Sequence, residues 1–119
     1  MMSIGARELA LFIRNDGDLY RRQGFPIVKS LVAKKVSGTY DREKAVKFYM
    51  DLAEKGAKGY AKEHGDAESA WSKLFPKTDR EQAAREMVKY FETEYSLGNY
   101  NQYIPKKYQT KEPAKRRSR

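Results

Sequence analysis

Apolar residues recur every three or four positions along most of the chain, which is the spacing of one face of an α-helix. The N-terminal segment shows this first, and its apolar positions are Ala6, Leu9, Ala10 and Ile13. Ser3 is suited to cap the start of this helix, and the turn-forming residues 15–17 are suited to end it. The pattern therefore predicts a first helix between these two signals.

Two further helices are predicted from their start and stop residues. Pro26 fits the first turn of a helix, where its missing N–H has no partner to lose, and Gly38 fits the helix end. Asp41 is a good N-cap for the longest helix, which we expect to run to Gly65. Two glycines interrupt that helix, Gly56 and Gly59. Their spacing predicts either a kink or a close approach of another helix.

The last helix has the clearest amphipathic pattern of the chain. Thr78 and Glu81 are spaced as a capping box, which predicts a helix start with Thr78 as the N-cap. The apolar positions that follow are Ala84, Met87, Val88, Phe91 and Tyr95. Strand-like alternation does not persist anywhere in the sequence. We therefore predict an all-α fold, a compact bundle of four or five helices followed by a disordered basic C-terminal tail.

Positive charge is concentrated at the C-terminal end. The 119-residue chain has a net charge of +9, and residues 106–119 contain seven Lys or Arg against one acid, Glu112, a net of +6. Only +3 is left for residues 1–105, so the basic character belongs mainly to one end. We predict a single helical domain over residues 1–107 and a flexible basic tail over residues 108–119.

The tail supplies the first candidate site residues. Lys115, Arg116 and Arg117 are predicted to contact the phosphates of a nucleic acid. Engaging all seven basic residues of the tail predicts a log–log salt slope of roughly −6. The alternative is that the tail is a solvated end that only aids solubility, and the sequence leaves both interpretations open.

The segment before the tail mixes aromatic rings with cations. Tyr103 and Tyr108 lie on either side of Lys106 and Lys107. In such an arrangement rings stack on unpaired bases while ammonium groups hold phosphates. The competing interpretation is that the tyrosines of this segment fold back and cover the bundle. Packing of this kind is the more common role of aromatic residues after a helix end.

A third candidate is the pair Arg21 and Arg22, which falls in a predicted turn and is suited to grip a phosphate. Enzymatic sites are disfavoured, because the chain has no Cys and one histidine, His64, which is placed to cap a helix end. We therefore predict no catalytic, cofactor-binding or metal-binding residues. No apolar run reaches the roughly 20 residues that cross a bilayer, so we expect an intracellular, soluble protein without a membrane partner.

Several strings resemble a family of small proteins encoded in bacteriophage and environmental viral genomes. They are ELALFIRNDGDLYRRQGFPIVKSL, SGTYDREKAVKFY, GAKGYAKEHG, WSKLFP and FETEYSLGNYNQYIPKKY, which together span roughly residues 8–108. The resemblance implies a viral protein that acts inside a bacterial host. That family has no established activity, so the resemblance implies no mechanism and no catalytic residues.

The favoured function is a non-enzymatic protein that binds RNA or DNA mainly through its phosphates. The alternative is a phage accessory protein, a host-takeover factor or defence inhibitor, that binds an acidic host protein. A virion component and an enzyme have less support, the first because only the viral setting favours it. The sequence does not distinguish RNA from DNA, and it does not give an oligomeric state.

Overall fold

The chain folds into the all-α bundle that the sequence predicts. The structure, a computed structural model, describes residues 2–108, and within that range there is no β-strand. The four long helices are α1 (Ile4–Asn15), α3 (Phe25–Ser37), α4 (Arg42–Glu63) and α6 (Lys77–Ser96). Two short ones lie between them, α2 (Gly17–Leu19) and α5 (Trp71–Leu74). Single 3₁₀ turns cover Glu68–Ala70, Asn101–Tyr103 and Lys106–Tyr108.

Three of the predicted helix boundaries are confirmed by their capping contacts. The Ser3 hydroxyl accepts the N–H of Ala6 at 3.0 Å, and the Asp41 carboxylate accepts the N–H of Glu43 at 2.9 Å. These bonds satisfy donors that have no partner inside the first helical turn. Gly38 ends α3 with a φ of 79°, a left-handed conformation that other residues rarely adopt.

The predicted capping box at Thr78 is wrong. Helix α6 begins at Lys77, and the carbonyl of Pro76 accepts the N–H of Arg80 at 3.1 Å, which places Thr78 inside the first turn. The reason is the extended backbone of Pro76, whose carbonyl already points along the new helix and starts its hydrogen bonds two residues earlier than predicted. Glu81 is therefore not a cap partner, and its carboxylate accepts from Arg85 instead at 3.0 Å.

Helices α1, α4 and α6 pack on one another to form most of the core. Its largest fully buried side chains are Phe91, Leu9, Leu31, Val32 and Val88. At Gly56, α1 approaches α4 so closely that an added Cβ would lie 2.5 Å from Ile13 Cγ1. The close approach predicted from the paired glycines is thus confirmed, and it sets the separation of these two helices.

Two arginine clasps join α4 to α6. Arg85 binds both oxygens of Glu43, at 3.0 and 3.1 Å, and Arg42 binds both oxygens of Glu92, at 2.7 and 2.9 Å. The Tyr40 hydroxyl also donates to Glu92 at 2.6 Å. The charge of Arg42 is therefore paired with Glu92, although 66% of the Arg42 side chain is exposed.

Within residues 2–108, no helix is both long enough and apolar enough to span a bilayer.

Candidate nucleic-acid interface

The turn that carries Arg21 and Arg22 is helical throughout. Residues Tyr20–Gly24 form a wide π-helical turn between α2 and α3, and the N–H of Phe25 donates to the carbonyl of Tyr20. Asp16 starts this stretch by accepting the N–H of Leu19 at 3.1 Å. Because a π turn holds one residue more than an α turn, it shifts the side chains that follow around the helix axis.

Both arginines of this turn are exposed and share one carboxylate. Arg21 Nη2 lies 3.7 Å and Arg22 Nε lies 3.4 Å from Asp18 Oδ1. Surface ion pairs of this kind contribute at most about 1 kcal/mol, so a phosphate competes with them readily. Residues 18–24 carry a net charge of +1, and the capping carboxylate of Asp16 precedes them.

A line of three aromatic rings connects this turn to the C-terminal segment. We call it the aromatic strip, and it consists of Tyr20, Phe25 and Tyr103. The Tyr20 and Phe25 ring centres are 6.1 Å apart, and those of Phe25 and Tyr103 are 5.5 Å apart in an edge-to-face arrangement. Lys29 adds a cation, with its Nζ 5.6 Å from the Phe25 ring centre. The fold thus brings residues more than 75 positions apart in the sequence onto one surface.

The strip is partly open to solvent. Tyr20 is 51% exposed and Tyr103 is 37% exposed. Burial raises the pKa of the Tyr20 hydroxyl above its ordinary value, and the neighbouring phenols of Tyr103 and Tyr90 raise it further. The hydroxyl therefore remains neutral at physiological pH, and the ring is available for stacking rather than repelling phosphates.

The segment after α6 is held to the bundle by its apolar side chains. Ile104 is buried, and the Tyr100 ring stacks on Phe91 with centres 5.5 Å apart. The predicted packing of this segment is confirmed, and Tyr103 takes part in it through Phe25. Lys106 and Lys107 follow three and four residues later in an exposed 3₁₀ turn. The packing of Tyr100 and Ile104 therefore fixes the point on the bundle from which the two lysines extend.

The predicted site residues therefore divide into two groups. Tyr103 belongs to the aromatic strip, and Lys106 and Lys107 follow it in the chain. Arg21 and Arg22 lie in the same turn as Tyr20, and their side chains pair with Asp18. The remaining predictions lie outside the described residues: Lys115, Arg116, Arg117 and the side chain of Tyr108.

Sequence reasoning missed Tyr20 and Phe25 as members of the site. Tyr20 had a local signal, because it directly precedes the two arginines and lies outside any apolar helical face. Phe25 had no local signal, since its role depends on a ring contact with Tyr103 across the fold.

His64 has the capping role that was predicted, with Nδ1 2.9 Å from the Tyr60 carbonyl. In the part of the chain that the structure describes, no group of three His, Asp or Glu side chains is placed to hold a metal ion.

The fold and this surface define a small all-α protein whose π-helical turn and C-terminal segment meet through a line of aromatic rings. No protein-family model, no curated protein and no solved structure matches the chain. The resemblance to viral proteins is therefore still a prediction, and the function has to be argued from the surface itself.

Proposed function

We propose that this chain is a non-enzymatic nucleic-acid-binding protein that holds a single strand along the aromatic strip. The observation that carries the proposal is the contact between Phe25 and Tyr103, which joins the arginine turn to the lysine-bearing segment. Exposed rings flanked by cations are the usual means of binding unpaired nucleic acid, because rings stack on bases while cations hold the backbone. Arg21 and Arg22 serve as phosphate contacts at one end of the strip.

The C-terminal cations extend the same interaction. Lys106 and Lys107 lie beyond Tyr103, so a strand that follows the strip reaches them next. We propose that Lys115, Arg116 and Arg117 add further phosphate contacts without sequence preference. The proposed setting is a bacterial host cell during infection, in keeping with the resemblance to phage and environmental viral proteins.

The exposed rings favour a nucleic acid over the alternative, an acidic host protein. Cations alone would serve either partner, since carboxylates and phosphates both attract them. Half-exposed aromatic rings beside those cations match unpaired bases, which offer a π-face regardless of sequence.

A pull-down from nuclease-treated bacterial lysate distinguishes a nucleic-acid partner from a protein partner. A stoichiometric protein partner that survives nuclease would favour the accessory-protein alternative.

The proposal is tested by fluorescence anisotropy with labelled single-stranded and double-stranded oligonucleotides over a range of salt concentrations. The key variant is Arg21→Ala with Arg22→Ala. Each phosphate contact contributes about −0.7 to the salt slope for a single strand, so the variant is expected to reduce the slope by about 1.4. A third protein, which lacks residues 109–119, measures how much of the salt slope comes from the C-terminal basic residues.

The matched control removes two cations elsewhere, with Lys62→Ala and Lys73→Ala. Both lysines are exposed. Neither is among the residues that form the strip or line the cavity beside it. Equal losses of slope in the two double variants would show that binding follows net charge and not this surface. No binding at low salt would remove the proposal entirely.

A further inference from the structure

A cavity of about 550 Å³ opens beside the aromatic strip. It lies between α1, the Tyr20–Gly24 turn, α4 and α6, and its floor is apolar, formed by residues such as Ile13, Val28 and Leu52. Its volume falls within the range of small-molecule sites, which combine an apolar lining with a few polar groups. Tyr20 belongs both to the strip and to the cavity wall, so the cavity mouth adjoins the proposed strand path.

Tyrosine side chains form much of the wall. They are Tyr20, Tyr49, Tyr90 and Tyr100. Tyr49 is the deepest of them, with only 5% of the residue exposed, and its hydroxyl has no hydrogen-bond partner among residues 2–108. No side-chain N or O atom sealed from solvent lacks a partner in that range. The Tyr49 hydroxyl therefore has accessible surface, and Tyr49 is one of the residues that line the cavity.

The Tyr49 hydroxyl offers a hydrogen bond to a polar ligand atom. A ligand that covers it with an apolar group would bury it without a partner, at a cost of about 1–3 kcal/mol, so the site favours a ligand that bonds to it. Burial raises the pKa of both Tyr49 and Tyr100 well above the ordinary value for tyrosine. Both hydroxyls consequently remain protonated and are able to donate as well as accept.

The charges around the cavity select against phosphate. Glu86 and Glu94 line it together with a single cation, Arg14, which leaves a net charge of −1. Glu94 accepts a hydrogen bond from the Asn99 amide at 2.6 Å, so its carboxylate is held in place. The charged lining of the cavity is thus acidic on balance, and Arg21 and Arg22 are not among its lining residues. A neutral planar ring with N–H donors suits the interior, because carboxylates accept from exocyclic amino groups.

We propose that this cavity takes one unstacked nucleobase of the bound strand, preferring bases with an exocyclic amino group. The inference rests on the proposed function for its source of ligand, since the strand supplies the base while its phosphates stay on Arg21 and Arg22. Tyr49 bonds to the base edge at the cavity floor. Adenine and cytosine carry the donor that the carboxylates accept, and uracil and thymine lack it.

The test is isothermal titration calorimetry of the full chain with free nucleosides, which isolates the cavity from the phosphate contacts. Adenosine and cytidine are expected to bind at least about threefold more tightly than uridine, which lacks the exocyclic amino group. Tyr49→Phe keeps the ring and removes the hydroxyl, so adenosine binding is expected to weaken about 3- to 10-fold.

A second variant tests the cavity without changing a buried side chain such as Tyr49. Glu86→Gln alters an exposed carboxylate of the cavity lining, and it is expected to narrow the difference in affinity between adenosine and uridine. The control Glu63→Gln, at the end of α4, is expected to leave that difference unchanged. Strand binding without any nucleoside binding would overturn this inference and leave the proposed function standing. Nucleoside binding without strand binding would uphold the cavity as a base site, but it would overturn the proposed function and the strand as the source of the base. Failure of both would overturn both.

Discussion

Replacing the two glycines of α4 by alanine is expected to change stability in opposite directions. In a helix interior, Gly→Ala gains about 1 kcal/mol of helix propensity, and this gain applies equally to Gly56 and Gly59. The surroundings differ. A Cβ at Gly56 would lie 2.5 and 2.8 Å from Ile13 Cγ1 and Cδ1, whereas a Cβ at Gly59 would lie 3.4 Å from Phe12 Cε2.

The gain in helix propensity and the cost of overpacking together decide whether each substitution stabilises or destabilises the fold. Contacts of 2.5 Å force Ile13 or α1 to move, and overpacking of this kind costs about 1–3 kcal/mol. Because Ile13 is buried and has little room to shift, we expect Gly56→Ala to lose about 1 kcal/mol net. Gly59→Ala makes only an ordinary contact, so it is expected to gain about 0.5–1 kcal/mol. The two variants should therefore differ by about 2 kcal/mol.

Urea unfolding followed by far-UV circular dichroism and by the fluorescence of Trp71, the single tryptophan, measures both free energies. A double-mutant cycle with Ile13→Ala identifies the cause. In that background the obstructing atoms are absent, so Gly56→Ala is expected to become stabilising, with a coupling energy of about 2 kcal/mol. Equal stabilisation by Gly56→Ala and Gly59→Ala in the wild-type background would refute the packing of α1 on α4.

Three further outcomes are expected. Ser3→Ala removes the cap of α1 and its 2.8 Å hydrogen bond to Asp79, and should cost about 1 kcal/mol in urea unfolding. The hydrogen bond from Arg42 lowers the pKa of Glu92, so the clasp stabilises the fold above the unfolded-state pKa and this contribution is lost as the pH falls through the lower, folded-state value. Unfolding of Glu92→Gln should therefore depend less on pH between about 3 and 5, and an unchanged profile would contradict this. Tyr103→Ala should weaken single-strand binding by about 1–3 kcal/mol in anisotropy, whereas unchanged affinity would exclude stacking on that ring.

Local signals account for what the sequence predicted well. Ser3, Asp41 and Gly38 act on the backbone within three residues of themselves, so their effect is readable without knowledge of the fold. The capping box failed for a related reason. Thr78 and Glu81 have the spacing of a capping box, but the backbone of Pro76 already starts the helical hydrogen bonds. The helix therefore begins before Thr78.

The candidate site was only partly predictable because its geometry is not local. Arg21 and Arg22 stood out as a charged pair in a turn, but nothing in the sequence places them near Tyr103. That placement depends on the π turn and on the contact of Phe25 with Tyr103. The cavity was not predicted at all, since an unpartnered hydroxyl at Tyr49 becomes visible only when its surroundings are known.

The central claim is that the arginine turn and the segment after Tyr100 form one surface for a single strand. Titration of the isotope-labelled full chain with a short single-stranded oligonucleotide, followed by amide chemical shifts in NMR spectra, tests it directly. We expect the amides of residues 20–25, 103–104 and 106–107 to shift together and to saturate at the same oligonucleotide concentration. Shifts confined to other parts of the bundle, or saturation of the two segments at different concentrations, would contradict the account.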